Sequence, residues 1–258
     1  MSASSPNTSS RAEAFANPIW NALKSSHRHL ALTAGLACKY PAEVAPFAAV
    51  AESSPKAFHD LHCLMLPGET TYVTGPLPPA VPGLEYGGVL PCYQMHFPAE
   101  TPLPATPHDA AIETHVVEDL DERHAAEMVA LTDVAFPGLF RIRTCAMGRY
   151  FGIRDGSGRL IAMGGERFVL HPIREISALC THPNHRGRGY AALLLRHLLE
   201  LHRTEGSVSC LHVVTNNTNA IQLYHRLGFQ TLREVDVHRL TRDDERKRGI
   251  EANEIRTR

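Results

Sequence analysis

The sequence predicts an α/β fold, a mixed and mostly antiparallel sheet flanked by helices. In residues 111–240, short apolar runs typical of strands alternate with runs that carry apolar residues at helical spacing. Tight turns such as Asp155-Gly156-Ser157-Gly158 join several of these strands, as in antiparallel hairpins. A single strand–helix–strand unit, at residues 175–215, predicts one parallel pair.

The second half of the chain has the clearest elements. Strands are expected where apolar runs end at turn residues, and helices where apolar residues recur every three or four positions. The predicted elements are strands at 111–117, 150–154, 160–170, 175–181, 208–215 and 231–240, and helices at 121–136, 191–201 and 217–227. Gly206 and Gly228 are expected to end the second and third of these helices.

The first half is less regular. The predicted elements are a hairpin at 30–40 around Gly35, a helix at 54–66 and strands at 70–74 and 89–97. Their order resembles that of the second half, but residues 52–55 stand where a glycine loop would lie, and a proline-rich segment at 75–82 replaces the last helix. We interpret this half as a degenerate copy of the second.

A proline-rich stretch at 98–107 cannot continue a helix or a central strand. It predicts a linker that divides the chain into an N-terminal domain, residues 1–107, and a C-terminal domain, residues 108–258.

The composition is that of an ordinary folded domain without a strong charge bias. The 258 residues are 43% hydrophobic, and the formal net charge is −1, so no global field attracts nucleic acid or an anionic membrane. No apolar run reaches the roughly 18 residues that a membrane-spanning helix needs, and the serine-rich start lacks the apolar segment of a secretory signal. We therefore expect a cytoplasmic protein with no nucleic-acid or membrane partner.

Cysteine and histidine usage gives no sign of a metal site. The six cysteines are scattered without a C-x-x-C pair, which is typical of reduced and mostly buried thiols. Among sixteen histidines, the closest pairs lack the spacing of a zinc motif. These pairs are His27/His29, His59/His62 and His182/His185. No metal is expected.

A basic, glycine-rich loop lies between the strand at 175–181 and the helix at 191–201. It reads Arg186-Gly187-Arg188-Gly189-Tyr190-Ala191. Free backbone N–H groups converge at a helix N-terminus, and the helix dipole favours an anion there. Glycines also let the backbone approach a ligand closely, because they have no Cβ. The loop therefore predicts a phosphate or pyrophosphate site, and with it a nucleotide-bearing cofactor.

The loop also matches the dinucleotide fingerprint G-x-G-x-x-A, at residues 187–192, but its context differs. Five residues, 182–186, separate the strand from the first glycine, and the next strand ends in Thr215-Asn216-Asn217 rather than in an acidic residue. No Gly-Lys-Ser/Thr follows, which excludes a Walker loop. A dinucleotide-binding oxidoreductase is therefore the less favoured alternative.

Two motifs resemble those of the GNAT superfamily of acyl-CoA-dependent N-acetyltransferases. Arg186-x-x-Gly189-x-Ala191 is similar to the pyrophosphate loop of that family. The second motif, similar to its closing helix, is Asn217-x-x-Ala220-x-x-Leu223-Tyr224-x-x-x-Gly228-Phe229. The resemblance covers residues 111–242, including the order of elements. The short half that precedes it is similar to the architecture of the glycine N-acyltransferase-like branch.

The resemblance implies a direct transfer of an acetyl group from acetyl-CoA to a primary amine in a ternary complex, without a covalent enzyme intermediate. It implies that the strand at 175–181 splays from the strand at 208–215. Backbone groups of Leu179, Cys180 and Thr181 would then bind the acyl carbonyl and the pantetheine, and residues 186–191 the pyrophosphate. The Cys180 side chain is expected to be structural.

The closing helix offers two further candidates. Tyr224 stands at the family's usual general-acid position, and the ordinary tyrosine pKa of about 10 suits proton delivery to a thiolate. The alternative is a tyrosine that merely packs on the helix. Asn217 is expected to cap this helix, and the resemblance implies that it also contacts the cofactor.

Glu175 is the candidate general base, because some relatives supply a base from its position on the strand. Burial is expected to raise its pKa toward the working range. Alternatively, Glu175 pairs with Arg174 or with a neighbouring strand. Glu166 is a second candidate base, and a water chain without a dedicated carboxylate is a third route.

The acceptor amine stays open at this point. The loop at 136–149 and the N-terminal half are expected to select it, and both small-molecule and peptide amines fit. A homodimer is also open. The main alternative to an enzyme is a non-catalytic acyl-CoA sensor, which would bind the cofactor without turnover.

Overall fold

Eleven strands join into one mixed sheet in the computed structural model, which describes residues 15–105 and 116–243. The strands are β1 (Leu32–Ala34), β2 (Ala37–Lys39), β3 (Phe47–Val50), β4 (Thr70–Thr74), β5 (Leu84–His96), β6 (Glu118–Leu120), β7 (Tyr150–Arg154), β8 (Leu160–Leu170), β9 (Ile173–Thr181), β10 (Val208–Val214) and β11 (Gln230–Arg242). The helices are α1 (Pro18–Lys24), α2 (Pro55–Leu64), α3 (Ala125–Ala135), α4 (Tyr190–Thr204) and α5 (Thr218–Arg226).

The strand order across the sheet is β1-β2-β3-β4-β11-β5-β10-β9-β8-β7-β6. Neighbouring strands are antiparallel except in the pairs β3–β4 and β9–β10. The predicted α/β class with a mostly antiparallel sheet is therefore confirmed. The parallel pair β9–β10 was predicted from the strand–helix–strand unit, whereas β3–β4 is an additional one.

The two halves of the chain exchange their last strands. Read inward from one edge, the antiparallel strands β1, β2 and β3 lead to the parallel pair β3–β4. Read inward from the other edge, the antiparallel strands β6, β7, β8 and β9 lead to the parallel pair β9–β10. Next to each pair lies the last strand of the opposite half, because β11 pairs with β4 while β5 pairs with β10. The strands β5 and β11 also pair with each other along most of their length. The sheet is thus continuous across both halves.

Most predicted elements are confirmed within a few residues of their expected bounds. The strand at 70–74 has the predicted ends, the hairpin turns around Gly35 and at 155–158 are present, and β5 begins five residues earlier than expected. Neither α1 nor β3 was predicted, since both are short. Of the strand expected at 111–117, residues 111–115 lie outside the described residues and residues 116 and 117 are not in a strand, since β6 begins at Glu118. The boundary between residues 107 and 108 also lies outside the described residues, so the two-domain division stays a prediction.

Apolar side chains cover both faces of the sheet. On one face, α4 buries Leu194, Leu195 and Leu198 against Ile161 and Leu211. Each fully buried leucine contributes roughly 1.5–3 kcal/mol of burial free energy. On the other face, Ile19 and Leu23 of α1 pack with Tyr40, Phe168 and Cys210, as part of a core that both halves share.

The exchanged strands predict that the two halves unfold together. Met95 lies on β5, in the first half, yet it is fully buried in the core beneath α4, in the second half. We expect Met95→Ala to lower the free energy of unfolding by about 2–5 kcal/mol. Fluorescence of Trp20, the only tryptophan, follows the first half, and far-UV circular dichroism follows the whole sheet. The two denaturation curves should stay coincident and shift equally.

Leu77→Ala is the matched control, because Leu77 is 67% exposed and should change stability by less than about 0.5 kcal/mol. A Trp20 transition that stays in place while the circular dichroism transition moves would contradict the coupling.

Candidate active site

A gap opens in the sheet where β9 leaves β10. The two strands pair only from Ile173–Val208 to Glu175–Cys210. Beyond this point β9 follows β8 as far as the pair Thr181–Ala162, while β10 follows β5 as far as Val214–Cys92. The splay that the resemblance implied is therefore present. It leaves one edge of the C-terminal end of β9 without a strand partner.

A bulge bends β9 inside this unpaired stretch. Ala178 has a φ of 54°, the left-handed region that an L-residue other than Asn or Asp seldom adopts. The register against β8 shifts at the same place, between the pairs Ser177–Gly165 and Cys180–Met163. Such bulges re-aim the backbone and are frequent beside active sites.

The backbone of Thr181 faces the gap. The His182 N–H donates to the Ile161 carbonyl of β8 (2.8 Å), so by alternation along the strand the polar groups of Thr181 point away from β8. The Arg186 Nε donates to the Thr181 carbonyl (3.3 Å), which ties the glycine loop to the end of the strand. Cys180 pairs with Met163 of β8, and Leu179 packs against the core beneath α4.

The glycine loop turns the chain into α4 without a side-chain cap. Gly187 and Gly189 have φ values of 76° and 84°, both left-handed, and Gly189 is the N-cap residue of α4. No side chain of the described residues caps the start of this 15-residue helix, and an uncapped helix N-terminus is the arrangement that anion sites commonly use. Arg186 and Arg188 are exposed beside it. The predicted anion site therefore has suitable geometry.

Tyr190 and Ala191 begin α4, and their backbone rather than their side chains belongs to the predicted anion site. The Tyr190 side chain is buried in the core under the helix. Its backbone, like that of Ala191, belongs to the first turn of α4, which the dipole makes attractive to an anion.

The closing helix α5 follows β10 on the far side of the gap. The Asn217 side chain accepts a hydrogen bond from the Ala220 N–H (3.2 Å), so the predicted cap is confirmed. Tyr224 is half-buried and packs on Phe229, with 5.8 Å between ring centroids. Tyr224 and Leu179 pack against the same core. Burial raises the pKa of Tyr224 to about 12, so the phenol is protonated at neutral pH.

Glu175 is the last β9 residue that pairs with β10, and only 1% of its surface is exposed. Its carboxylate forms an ion pair with Arg167 of β8, and it accepts a hydrogen bond from His212 Nδ1 of β10 (2.8 Å). Burial alone would raise the pKa of Glu175, but Arg167 and His212 outweigh it and lower the pKa to about 2. The expected rise in the pKa of Glu175 is therefore wrong. Of the two alternatives for its pairing, the one with a neighbouring strand is confirmed, because the partner is Arg167 of β8 rather than Arg174.

Both ring nitrogens of His212 are occupied. Nδ1 donates to Glu175, and Nε2 accepts from the Gln94 amide of β5 (3.0 Å). The remaining Glu175 oxygen, Oε2, is buried and has no hydrogen-bond partner among the described residues. The carboxylate therefore stays inside the protein, with one oxygen unpaired among the described residues.

Glu166 belongs to a separate polar network. Its carboxylate accepts hydrogen bonds from Arg149 (2.8 Å), Arg174 (3.0 Å) and His202 (3.0 Å), and only 1% of its side chain is exposed. His202 in turn bonds to Ser209 (2.8 Å). Despite its burial, these partners hold the pKa of Glu166 well below its usual range. The arrangement cross-links β8, β9, β10 and α4 rather than opening toward a substrate.

Cys180 is suited to a structural role. Burial raises the pKa of its thiol to about 12, which keeps it protonated at neutral pH. A protonated thiol is a poor nucleophile.

Three features of the site were not predicted from the sequence, namely Arg167, His212 and the bulge at Ala178. Arg167 and His212 lie 8 residues before and 37 residues after Glu175, so only the tertiary fold brings them together. The bulge has no glycine or asparagine to signal it.

In the ranges 15–105 and 116–243 no group of three or more histidine, cysteine or acidic side chains is arranged to hold a metal ion. Nor does any helix there combine the length and apolar character needed to cross a bilayer.

Comparisons with known proteins agree with this geometry. A family model described as "FR47-like protein" matches residues 150–237. A GNAT-family protein from Novosphingobium aromaticivorans is 32% identical, and the match covers 89% of this chain and 98% of that one, with a TM-score of 0.77. No curated protein matches the chain.

Two more distant structures share the fold alone. A GCN5-related N-acetyltransferase from Kribbella flavida is 16% identical, with 92% and 96% of the two chains covered and a TM-score of 0.59. One from Sphaerobacter thermophilus is 15% identical, with 80% and 76% covered and a TM-score of 0.52. The splayed strands, the uncapped helix and the match at 32% identity together lead to one conclusion: this chain belongs to the GNAT family of acyltransferases.

Proposed function

We propose that this protein transfers an acetyl group from acetyl-CoA to a primary amine by direct attack in a ternary complex. The observation that carries the proposal is the separation of β9 from β10 directly before the uncapped start of α4. An unpaired strand edge binds an extended amide chain such as pantetheine, and a free helix N-terminus binds a pyrophosphate. Acetyl-CoA carries both groups and supplies the activated thioester.

The donor site follows from these elements. Backbone groups of Leu179, Cys180 and Thr181 would bind the acyl carbonyl and the pantetheine. Of these residues, Thr181 faces the gap, whereas Cys180 pairs with Met163 of β8. N–H groups of residues 186–191 would hold the pyrophosphate, with added charge from Arg186 and Arg188. Asn217 would contact the cofactor from the start of α5, in addition to its capping role.

Tyr224 would donate a hydrogen bond to the departing sulfur. Its pKa of about 12 makes complete proton transfer to a thiolate unfavourable, because an ordinary thiol has a pKa of about 8.5. Stabilisation of the developing negative charge by hydrogen bonding is therefore the main contribution, and solvent completes the protonation. The protonated thiol of Cys180 supports transfer without an acyl-cysteine intermediate.

Glu175 would act as a fixed anion rather than as a strong base. A general base works best with a pKa near the working pH, and a pKa of about 2 is far below it. We propose that the amine loses its proton through water. The buried carboxylate of Glu175 would instead supply a fixed negative charge beside the gap, which stabilises the positive charge that develops on the nitrogen during attack.

The N-terminal half would be a degenerate GNAT-like copy, as in the glycine N-acyltransferase-like branch, with domains at 1–107 and 108–258. The mirrored strand order of the sheet supports this proposal. In the first half, α2 begins with Pro55, which has no N–H, and Ser54 caps it by accepting from the Ala57 N–H (3.3 Å). The start of α2 therefore offers fewer free donors to an anion than the start of α4.

A non-catalytic acyl-CoA sensor is the main alternative, because cofactor binding alone requires only β9 and the glycine loop. Release of free thiol from acetyl-CoA in the presence of an amine panel separates the two functions.

A dinucleotide-binding oxidoreductase is disfavoured, because that fold has a mostly parallel sheet, whereas the sheet of this protein is mostly antiparallel. A rise in the thermal midpoint with acetyl-CoA and none with NAD or FAD tests this second point.

The glycine loop can be tested with Gly189→Val. Valine at a φ of 84° is strained and displaces the first N–H groups of α4, so the affinity for acetyl-CoA should fall at least tenfold in a calorimetric titration. The matched control is Gly158→Val, at a φ of 83° in the exposed hairpin turn, which carries similar strain away from the site. Equal acetyl-CoA affinity in both variants would contradict the loop assignment.

The role of Tyr224 can be tested with Tyr224→Phe. Loss of one hydrogen bond to a developing charge, worth about 1.5–3 kcal/mol, should lower kcat by roughly 10- to 100-fold. The affinity for acetyl-CoA should be nearly unchanged. Tyr86→Phe, which instead removes a hydrogen bond to His238, is the control and should leave kcat unaltered. An unchanged kcat for Tyr224→Phe would assign Tyr224 to packing alone.

The ion pair between Arg167 and Glu175 makes stability depend on pH. The folded pKa of Glu175, about 2, lies below its ordinary value of 4.5. Its stabilising contribution is therefore complete above about pH 4.5 and is lost as the pH falls toward about 2. At neutral pH, Glu175→Gln or Arg167→Met alone should lower the free energy of unfolding by about 3–5 kcal/mol, because each leaves an unpaired buried group.

The double variant Arg167→Met/Glu175→Gln is the control, and it should lose less than the sum of the two single changes. Urea unfolding between about pH 7 and about pH 3 measures both effects. A double variant with the same acid sensitivity as the wild type would show that Glu175 is not responsible.

A further inference from the structure

We propose that two adjoining cavities on the face of the sheet opposite α4 bind the acceptor, and that the acceptor is a small amine with a compact apolar substituent and a hydrogen-bond-accepting oxygen. This proposal rests on the proposed function, because it assumes that the bound amine is acetylated. Side chains alternate along β10, so Leu211 and Val213 pack under α4 while His212 and Val214 face the cavities.

The larger cavity has a volume of about 120 Å³ and lies between the two halves of the chain. The first half contributes Phe47, Tyr72 and Leu90, and β11 contributes Val237. The lining is thus mostly apolar and aromatic, and α1 covers part of it. This cavity gives the N-terminal half a direct role at the site.

A smaller cavity of about 40 Å³ lies between the larger one and the gap in the sheet, and it adjoins the larger one across shared side chains. The two share Phe47, Leu139 and Arg167 in their walls. The smaller cavity extends to Ser177 and Ala178, at the bulge of β9. A group in the larger cavity would therefore direct its amine toward the unpaired end of β9, where the thioester of the donor is proposed to lie.

The volume limits the size of the substituent. An apolar protein cavity of about 150 Å³ holds one benzene molecule. A cavity of about 120 Å³ therefore holds a branched aliphatic group or a small ring, of roughly four to six carbon atoms. A peptide or a long chain does not fit in this volume.

Unpartnered polar atoms in the walls indicate a ligand oxygen. Arg167 Nε and Thr74 Oγ1 are buried at the larger cavity and have no hydrogen-bond partner among the described residues. Arg167 is held in place by its ion pair with Glu175 and by the rings of Phe47 and Phe168, 4.7 and 4.9 Å from its guanidinium carbon. The Nε–H group can only donate, so the matching ligand atom is an acceptor such as a carbonyl or carboxylate oxygen.

The charges around the cavities disfavour a polyamine. No aspartate or glutamate is among the described residues that line either cavity. The nearest carboxylate, that of Glu175, is already bonded to Arg167 and His212. A second ammonium group would thus enter an apolar pocket beside a cation and without a counter-charge, which is costly.

Five small amines test separately the apolar substituent, the oxygen and the number of ammonium groups. Leucinamide and leucine carry the apolar group with a carbonyl or a carboxylate, isoamylamine lacks the oxygen, glycinamide lacks the apolar group, and spermidine is a polyamine. We expect leucinamide or leucine to bind at least tenfold more tightly than the other three in calorimetric titrations of the full chain, with and without CoA. The stronger of the two identifies the type of oxygen.

Three variants test whether the amine binds in the larger cavity. Val237→Phe fills the larger cavity and should weaken binding of the preferred amine at least tenfold. Thr74→Val keeps the shape but removes the hydroxyl, and should weaken it several-fold even if Val237→Phe fails to fold. Val89→Phe is the control, because Val89 is 44% exposed, lies on β5 and lines neither cavity.

The outcomes distinguish the two proposals. Tight binding of leucinamide or leucine that Thr74→Val weakens supports the cavity, even if no acetyl transfer occurs and the proposed function fails. Acetyl transfer that prefers spermidine or glycinamide, or amine binding that Val237→Phe and Thr74→Val leave unchanged, overturns the cavity while the proposed function stands. Absence of binding by leucinamide and leucine also overturns it.

Discussion

The buried ion pair between Arg167 and Glu175 is the interaction on which the arrangement of the site depends. It lies at the last residue pair that β9 and β10 share, and His212 of β10 completes it. One carboxylate therefore links three neighbouring strands at the point where two of them separate. The desolvation of such a pair offsets much of its Coulomb attraction, so its contribution to stability is modest as long as both partners are present. Its specific effect is positional, because it holds a cation against one cavity wall and leaves a carboxylate oxygen unpaired.

The exchange of last strands makes the site a joint product of both halves. Because β5 lies between β11 and β10, Gln94 of the first half reaches His212 of the second. The same exchange places Leu90 and Cys92 of β5 beside Val214 and Val237 in the cavity wall. A change in either half that shifts β5 along its neighbours would therefore alter the orientation of His212 and the shape of the cavity together.

Local sequence signals predicted the parts of this fold that depend on neighbouring residues. The cap of Asn217, the hairpin turn at 155–158 and the left-handed glycines before α4 each involve residues within about five positions of one another. The pKa of Glu175 could not be predicted in this way. The direction in which it shifts from the ordinary value depends on charges from two other strands. Burial was foreseen, but the partners that reverse its effect were not. The bulge at Ala178 and the strand exchange likewise follow from packing between distant segments.

The two halves differ at the start of the helix that joins each parallel pair. Both halves have a parallel pair joined by a helix, β3–α2–β4 and β9–α4–β10. In the first, Ser54 and Pro55 satisfy or remove N–H groups at the start of α2, which stabilises the helix by roughly 1 kcal/mol but leaves less for a phosphate. In the second, Gly189 has no side chain and leaves the start of α4 without such a cap. The start of α4 is thus better suited to an anion than the start of α2, which agrees with our proposal that the second half holds the donor.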